Sequence, residues 1–205
     1  MPTTRKGDKR YDRDYFERFY RKQRTRVHSP EDVARKVRLA VAAAEFMLGR
    51  EIRTVLDIGA GEGAWFPILR RMRRDIRYVG IEPSTYAVER YGKARQLKLG
   101  HFDRLDEARV GKDFDLIVCA DVMNYLTTPE LHRGLAQIVK RLRGLAYLEI
   151  YTSQDELVGD LASIDLRAPR YYTRALRDAG LIRCGMHCYV GEKLAHNVVA
   201  MEGGW

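Results

Sequence analysis

The stretch Thr54–Trp65, TVLDIGAGEGAW, decides the fold. Its apolar residues Val55, Leu56 and Ile58 predict a buried strand of a parallel sheet, because such strands are covered on both faces. Three glycines then predict a turn, and the residues after them the start of a helix; these are Gly59, Gly61 and Gly63. A strand, a glycine-rich turn and a helix N-terminus together form a nucleotide pocket, since glycine lets the backbone approach a ligand closely.

Strands and helices are predicted to alternate on both sides of this stretch, after a helix over 30–48 with Ser29 as its N-cap and Gly49 as its stop. The other predicted helices are 64–72, 84–95, 129–144 and 170–179. The predicted strands are 53–58, 77–82, 97–100, 116–120 and 146–151, then 182–190 and 197–201 joined by a turn at Gly191. This order predicts an α/β fold with a doubly wound, seven-stranded, mostly parallel Rossmann-like sheet, one antiparallel strand and N-terminal helices.

Composition and length indicate one soluble domain over 29–205, preceded by a basic arm over 1–28. No apolar run approaches the roughly 20 residues of a membrane span. We expect no secretory signal, because the N-terminal residues are rich in Arg, Lys and Asp and contain no apolar segment. The three cysteines lack disulfide-like spacing, which predicts reduced thiols and a cytoplasmic protein. We predict no metal, because Cys184 and Cys188 share one strand face while His187 points to the other.

The charge of +9 is concentrated at the N-terminus, where residues 1–26 contain ten Lys and Arg against four Asp and Glu. Residues 1–10 are predicted to be disordered, and 11–26 to form an amphipathic helix with an aromatic stripe. The stripe fits either packing on the domain or a lid over a ligand pocket. The charge fits either a solvated surface or binding to a polyanion such as RNA.

The glycine turn alone leaves the nucleotide open. Gly59, Gly61 and Ala64 satisfy dinucleotide spacing, and Glu82 lies where a ribose-binding acid is expected, so an NAD-dependent enzyme is one alternative. Against it, Asp57 precedes the turn, where it would repel a pyrophosphate. Gly63 widens the turn, and no nearby arginine favours NADP. S-adenosylmethionine, which carries an ammonium and a sulfonium and no phosphate, suits the acid better.

Four segments in order, VLDIGAGEG, GIEPS, Asp103 and FDLIVCADVMNYL, resemble the motifs of class I S-adenosylmethionine-dependent methyltransferases over about residues 50–150. The resemblance implies that S-adenosylmethionine is the cofactor and S-adenosylhomocysteine the product. It also implies that residues at the carboxyl ends of the strands bind the cofactor. For the methionine part these would be Asp57, Gly59, Ala60, Gly61, Gly63, Ala120 and Asp121; for the ribose Glu82; and for the adenine Pro83, Ser84, Phe102 and Asp103.

The acceptor is expected to be a small molecule, methylated on oxygen or nitrogen. The segment after the fourth strand, Asp121–Leu126, lacks the Asn/Asp-Pro-Pro motif of adenine- and amide-methylating relatives, and Cys119 lacks the preceding proline of cytosine-C5 enzymes. An RNA methyltransferase that uses the basic arm and a non-catalytic cofactor-binding scaffold stay open. The candidate bases are Asp121, Tyr125 and Glu149, with His101 and His187 as further candidates. No membrane partner is predicted.

Overall fold

The chain forms an α/β fold in which helices cover both faces of a seven-stranded sheet. The structure is a computed structural model that describes residues 11–22, 24, 27–156 and 164–199. The helices are α1 Arg13–Phe16, α2 Pro30–Leu48, α3 Trp65–Met72, α4 Thr85–Arg95, α5 Thr128–Arg141 and α6 Pro169–Asp178. The strands are β1 Thr54–Ile58, β2 Arg77–Glu82, β3 Leu97–Leu99, β4 Phe114–Ala120, β5 Leu142–Glu149, β6 Ile182–Gly185 and β7 Cys188–Val190.

The sheet order is β3-β2-β1-β4-β5-β7-β6. Strands β1 to β5 pair in parallel, while β7 runs antiparallel to both of its neighbours. The predicted fold class, with its single antiparallel strand, is therefore confirmed. Because the order reverses between β1 and β4, the carboxyl ends of these two strands open a crevice for a ligand.

Alternate residues of the central strands supply two apolar layers. Leu56 and Ile58 of β1 face one layer, beneath α5 and α6, and Val55 faces the other, beneath α2 and α3. Burial on both faces explains why these strands are almost continuously apolar in the sequence. An acid within such a strand, as at Asp57, therefore lies in a dry environment.

Helix α2 begins and ends where the sequence predicts. The Ser29 side chain accepts from the Asp32 N–H, and Asp32 accepts in return from the Ser29 N–H, which is a capping box. Gly49 ends the helix in the left-handed conformation with φ of 64°. No helix in the described part of the chain is long and apolar enough to cross a membrane.

Strand β5 differs from its prediction. It begins at Leu142, directly after α5, and ends at Glu149, so Gly144 lies inside the strand instead of ending the helix. A Cβ on Gly144 would overlap the carbonyl oxygen of Asp115 on the neighbouring strand. This glycine therefore permits a close backbone approach between β4 and β5, a role that a sequence pattern does not distinguish from a helix stop.

The predicted pair of final strands is wrong. The hairpin lies wholly within the first of them, with Met186 and His187 in the left-handed region at its turn, where the sequence has no Asn-Gly signal. After Gly191 the chain forms a 3-10 helix over Glu192–Asn197. The Asn197 side chain there donates to the Met47 carbonyl at the end of α2. Residues 200 and 201 lie outside the described residues.

The N-terminal helix is shorter than predicted and changes type. After α1 the chain forms a π-helical turn over Glu17–Arg21. Phe16 is almost fully buried and its ring lies 5.7 Å from that of Tyr86, so the aromatic stripe packs on the domain. Residues 1–10, which are predicted to be disordered, lie outside the described residues, as do 23, 25 and 26.

Candidate active site

The glycine turn forms a tight loop at the carboxyl end of β1. Gly59, Gly61 and Gly63 have φ of 74°, 57° and 70°, which side-chain-bearing residues rarely adopt. The N–H groups of Gly59 and Ala60 both donate to the Ile81 carbonyl of β2, at 2.8 and 3.1 Å. The loop is thus fixed to the end of the adjacent strand, beside the crevice.

Glu82, the last residue of β2, lies directly beneath this loop. Its carboxylate accepts from the Gly61 N–H at 2.8 Å and the Ser84 N–H at 3.0 Å. Burial raises the pKa of Glu82 to about 7, and the charge of Asp57 adds to this, while the two N–H donors act in the opposite direction. Glu82 is therefore a desolvated acceptor held by backbone groups.

Asp57 is a second buried carboxyl group, one residue before the end of β1. Tyr78 Oη donates to Asp57 Oδ2 at 2.6 Å. Burial raises the pKa of Asp57 to about 7, and the bond from Tyr78 lowers it in part. In the described ranges no basic side chain forms an ion pair with Asp57 or Glu82. Two desolvated acids beside one loop favour a ligand that supplies hydrogen-bond donors and positive charge.

The end of β4 closes the opposite side of the crevice. Asp121 lies just beyond Ala120 with φ of 57°, and its N–H donates to the Glu149 carbonyl at 3.1 Å. The side chain of Val122 packs so closely on the glycine loop that a Cβ on Gly59 would overlap it. The structure therefore brings Ala120 and Asp121 to the same edge of the sheet as Asp57 and Glu82.

The residues after β3 face α5. The Phe102 ring is buried in the core, where a Cβ on Gly134 would overlap it. Arg133 donates to the Asp103 carboxylate at 2.8 Å, and Arg104 lies 3.6 Å from it. The adenine contacts expected of Phe102 and Asp103 stay predictions. A hydrogen bond from adenine to the Asp103 carboxylate would have to form beside the one that Arg133 already donates.

The turn after β2, which is predicted to lie beside the adenine, contacts the N-terminal segment. Ser84 caps α4 by accepting from the Ala87 N–H, and its own hydroxyl donates to the Tyr11 carbonyl at 2.5 Å. Pro83 precedes it, partly buried. Contact between this turn and Tyr11 means that the N-terminal segment reaches the carboxyl end of β2.

We call residues 11–22 the cover segment, because they lie across the glycine loop. Tyr20 Oη lies 2.5 Å from the position that a Cβ on Gly61 would take. Burial of this hydroxyl, together with nearby acids that include Glu82, raises the pKa of Tyr20 well above 10, although 37% of the residue surface is exposed. Arg21 donates to Glu62 of the loop at 3.1 Å and also to the Tyr91 hydroxyl. The aromatic stripe therefore packs on the domain through Phe16 and also covers the glycine loop through Tyr20.

The candidate bases are dispersed. Glu149 lies at the crevice, where Lys36 Nζ donates to it at 2.7 Å. Tyr125 ends a short 3-10 helix after β4. His101 is exposed in the loop after β3, and His187 lies in the β6–β7 turn with its ring 5.8 Å from Tyr147.

Three groups lie near Glu149, and sequence reasoning missed two of them, Lys36 and His28. Tyr151 Oη donates to Glu149 Oε1 at 3.2 Å, on the side opposite Lys36. His28, just before α2, lies 3.5 Å from Lys36 Nζ. No motif marks Lys36 or His28, since α2 reaches the end of β5 only through the fold.

Comparisons with known proteins agree with this geometry. Residues 15–192 match a family model described as a methyltransferase domain. No curated protein sequence matched the chain. Among solved structures, the sugar N-methyltransferase KedS8 from a Streptoalloteichus species is 16% identical, with a TM-score of 0.62, over 79% of this chain and 84% of that one.

Two further structures are similar at the same level. DesVI of Streptomyces venezuelae is 16% identical, with a TM-score of 0.60, over 79% of this chain and 91% of that one. The magnesium protoporphyrin IX methyltransferase ChlM of Synechocystis, solved with bound S-adenosylhomocysteine, is 14% identical, with a TM-score of 0.55, over 78% and 79%. The chain spans 48% to 57% of three longer matched structures. At these identities the likeness shows the fold.

Proposed function

Since the chain belongs to the methyltransferase-domain family and is a class I S-adenosylmethionine-dependent methyltransferase, we propose that it methylates an oxygen or nitrogen atom of a small molecule. The observation that carries the cofactor site of this proposal is the pair of desolvated carboxyl groups, Asp57 and Glu82, beside the glycine loop. Burial raises the pKa of each to about 7. A ligand that donates to both carboxylates would offset this cost.

S-adenosylmethionine fits these residues. Its ribose hydroxyls are donors suited to the two oxygens of Glu82, and its ammonium group is the cation that Asp57 lacks. The backbone of Gly59 and Gly61 would pass beside the methionine part, where a side chain would obstruct it. Ser84 would lie beside the adenine, and Ala120 with Asp121 would line the methionine side.

The reaction depends mainly on alignment of the acceptor with the methyl group. When bound, S-adenosylmethionine supplies an activated methyl group on a positively charged sulfur. The chain then has to hold the acceptor in line with that methyl group, and positioning of this kind is worth on the order of 7–11 kcal/mol. The cover segment would exclude water, and the Tyr20 ring could contribute a cation–π contact.

A small acceptor is supported by how the cover segment lies over the loop. Tyr20 and Arg21 contact Gly61 and Glu62, so the cofactor edge is covered instead of open to a broad groove. The acceptors named for the similar structures, a sugar and magnesium protoporphyrin IX, are also small molecules. We therefore place the acceptor between the cover segment and the ends of β4 and β5.

Calorimetry with S-adenosylhomocysteine tests the cofactor site. We expect the wild-type protein to bind it, and Asp57→Asn to bind at least tenfold more weakly, because a charge-assisted bond to the ammonium is lost. The matched control is Asp75→Asn, in the exposed turn before β2. Binding of NADH without binding of S-adenosylhomocysteine would contradict the proposed cofactor site and favour the NAD-dependent alternative.

A further inference from the structure

Four polar side chains meet at the carboxyl end of β5, outside the residues assigned to the cofactor. They are His28, Lys36, Glu149 and Tyr151. Three separate parts of the chain contribute to this cluster, which we call the β5 cluster. Assembly of titratable groups from distant positions at a ligand-binding edge is typical of a catalytic site.

The β5 cluster adjoins the methionine side of the proposed cofactor site. In the sheet Glu149 is paired with Ala120, and its carbonyl accepts from the Asp121 N–H. Tyr151 is close enough to Asp121 for that acid to help raise the pKa of its hydroxyl, after burial and Glu149. The cluster therefore lies on the acceptor side of β4.

Glu149 is fixed within the β5 cluster and poorly suited to accept a proton from an acceptor. Its two oxygens are engaged by different donors, Lys36 Nζ at 2.7 Å and Tyr151 Oη at 3.2 Å. The carboxylate is also almost fully buried. Removal of either donor would leave a buried charge poorly compensated, so this group serves to hold its neighbours.

His28 is the group that remains able to accept a proton. It is only half-buried, and both of its ring nitrogens lie 3.5 Å from Lys36 Nζ. Burial lowers the pKa of His28, and the Lys36 ammonium lowers it further, while the more distant carboxylates of Glu149 and Asp32 act in the opposite direction. The lowered pKa of His28 favours the uncharged imidazole at neutral pH, and the uncharged ring has one basic nitrogen.

We infer that His28 is the catalytic base that removes the proton of the acceptor during methyl transfer. Lys36 acts as a positioning residue that lowers the pKa of the imidazole, and Glu149 acts as one that holds Lys36 in place. The inference rests on the proposed function, and it adds that the acceptor atom bears a proton that must leave, as in a phenol, an alcohol or an ammonium group.

During methyl transfer the acceptor atom loses a proton and gains a methyl group. A ring nitrogen of His28 forms a bond to the acceptor proton, and the electron pair left on the acceptor oxygen or nitrogen forms the bond to the methyl carbon. The carbon–sulfur bond breaks, and its electron pair stays on sulfur in the leaving S-adenosylhomocysteine. The imidazolium then releases its proton to water.

Proton NMR of the histidine rings tests the charge state without any acceptor. The chain has five histidines, so the His28 signal can be assigned by its loss in His28→Gln. In the complex with S-adenosylhomocysteine we expect the midpoint of the His28 titration below 6.5, and a higher midpoint in Lys36→Met. If His28 is charged at pH 7, the inference is overturned. If Lys36→Met fails to fold, the wild-type midpoint alone decides.

Turnover tests the role itself, measured as release of S-adenosylhomocysteine with catechol, glucosamine and benzylamine as probes. We expect His28→Gln to lower kcat at pH 7 by 100-fold or more, in the range of general-base catalysis. Its affinity for S-adenosylhomocysteine should change by less than twofold, and the rate should lose the rise with pH that the wild type shows. His196→Gln, at an exposed position of the 3-10 helix after β7, is the control.

The outcomes separate the inference from the proposed function. A His28→Gln enzyme that keeps kcat within threefold overturns the inference and leaves the methyltransferase assignment intact. A wild-type protein that does not bind S-adenosylhomocysteine contradicts the proposed cofactor site. A wild-type protein that binds it and methylates no probe counts against those acceptors, and the NMR titration then decides for or against His28.

Discussion

Replacement of Glu82 by glutamine is expected to stabilise the ligand-free protein at pH 8.5 and not at pH 5. Burial raises the pKa of Glu82 from 4.5 to about 7. Between these values the folded protein holds a proton on Glu82 that the unfolded chain has released. The free energy of unfolding therefore falls as the pH rises through this interval. Glutamine does not ionise, so the free energy of unfolding of the variant does not decrease over this pH interval.

The size of the effect follows from the pKa difference and the hydrogen bonds. A rise from 4.5 to about 7 corresponds to about 3 kcal/mol, at roughly 1.4 kcal/mol per pH unit. Glutamine has one acceptor oxygen, whereas Gly61 and Ser84 donate to different oxygens of Glu82. The lost bond costs about 1 kcal/mol. We thus expect a net gain of about 2 kcal/mol at pH 8.5 and a loss of up to about 1 kcal/mol at pH 5.

Urea unfolding at both pH values measures this, with Glu89→Gln on the exposed face of α4 as the matched control. The Glu82 variant should also bind S-adenosylhomocysteine about 10- to 100-fold more weakly at pH 8.5, because the ribose hydroxyls lose a charged acceptor. Stability and affinity would then change in opposite directions. A variant that is no more stable than wild type at pH 8.5 would refute the reasoning, since ionised Glu82 would then not be a cost to the ligand-free fold.

Two glycines give further predictions. Gly134→Ala should lower the free energy of unfolding in a thermal unfolding assay by about 1–3 kcal/mol, because its Cβ would overlap the Phe102 ring. The control is Gly111→Ala, which has open space around it and should change the free energy of unfolding by under about 0.5 kcal/mol. Gly59→Ala should cost about 1–2 kcal/mol through its φ of 74° alone and weaken S-adenosylhomocysteine binding in calorimetry. Adding Val122→Ala should restore part of the stability, and a double variant no better than the single one would contradict the steric explanation.

The central fold could be predicted because its signals are local. The apolar strands, the Ser29 cap and the glycine loop each reflect a short-range rule, and the doubly wound, mostly parallel sheet followed from the alternation of strands and helices. The failures involve contacts between distant residues. Gly144 resembled a helix stop, and the β6–β7 turn has Met186 and His187 where turn residues were not expected.

The candidate site likewise contains residues that the sequence pattern indicates and residues that come together only in the folded chain. Asp57 and Glu82 could be found because they end strands beside a glycine turn. The β5 cluster could not, since His28 and Lys36 lie more than 100 residues before Glu149 and meet it only when α2 packs on β5. A role for the basic arm in binding RNA stays a prediction, because residues 1–10 lie outside the described part of the chain.

The cover segment has a kinetic consequence. Its contacts at Tyr11, Tyr20 and Arg21 lie across the proposed cofactor site, so we expect each catalytic cycle to require this segment to undock and return. We expect this movement, and not the chemical step, to set the turnover rate with a good acceptor. His28 follows the segment by six residues, so undocking would also disturb the proposed base. Product release and loss of the base would then be a single event, which prevents proton removal while the site is open to water.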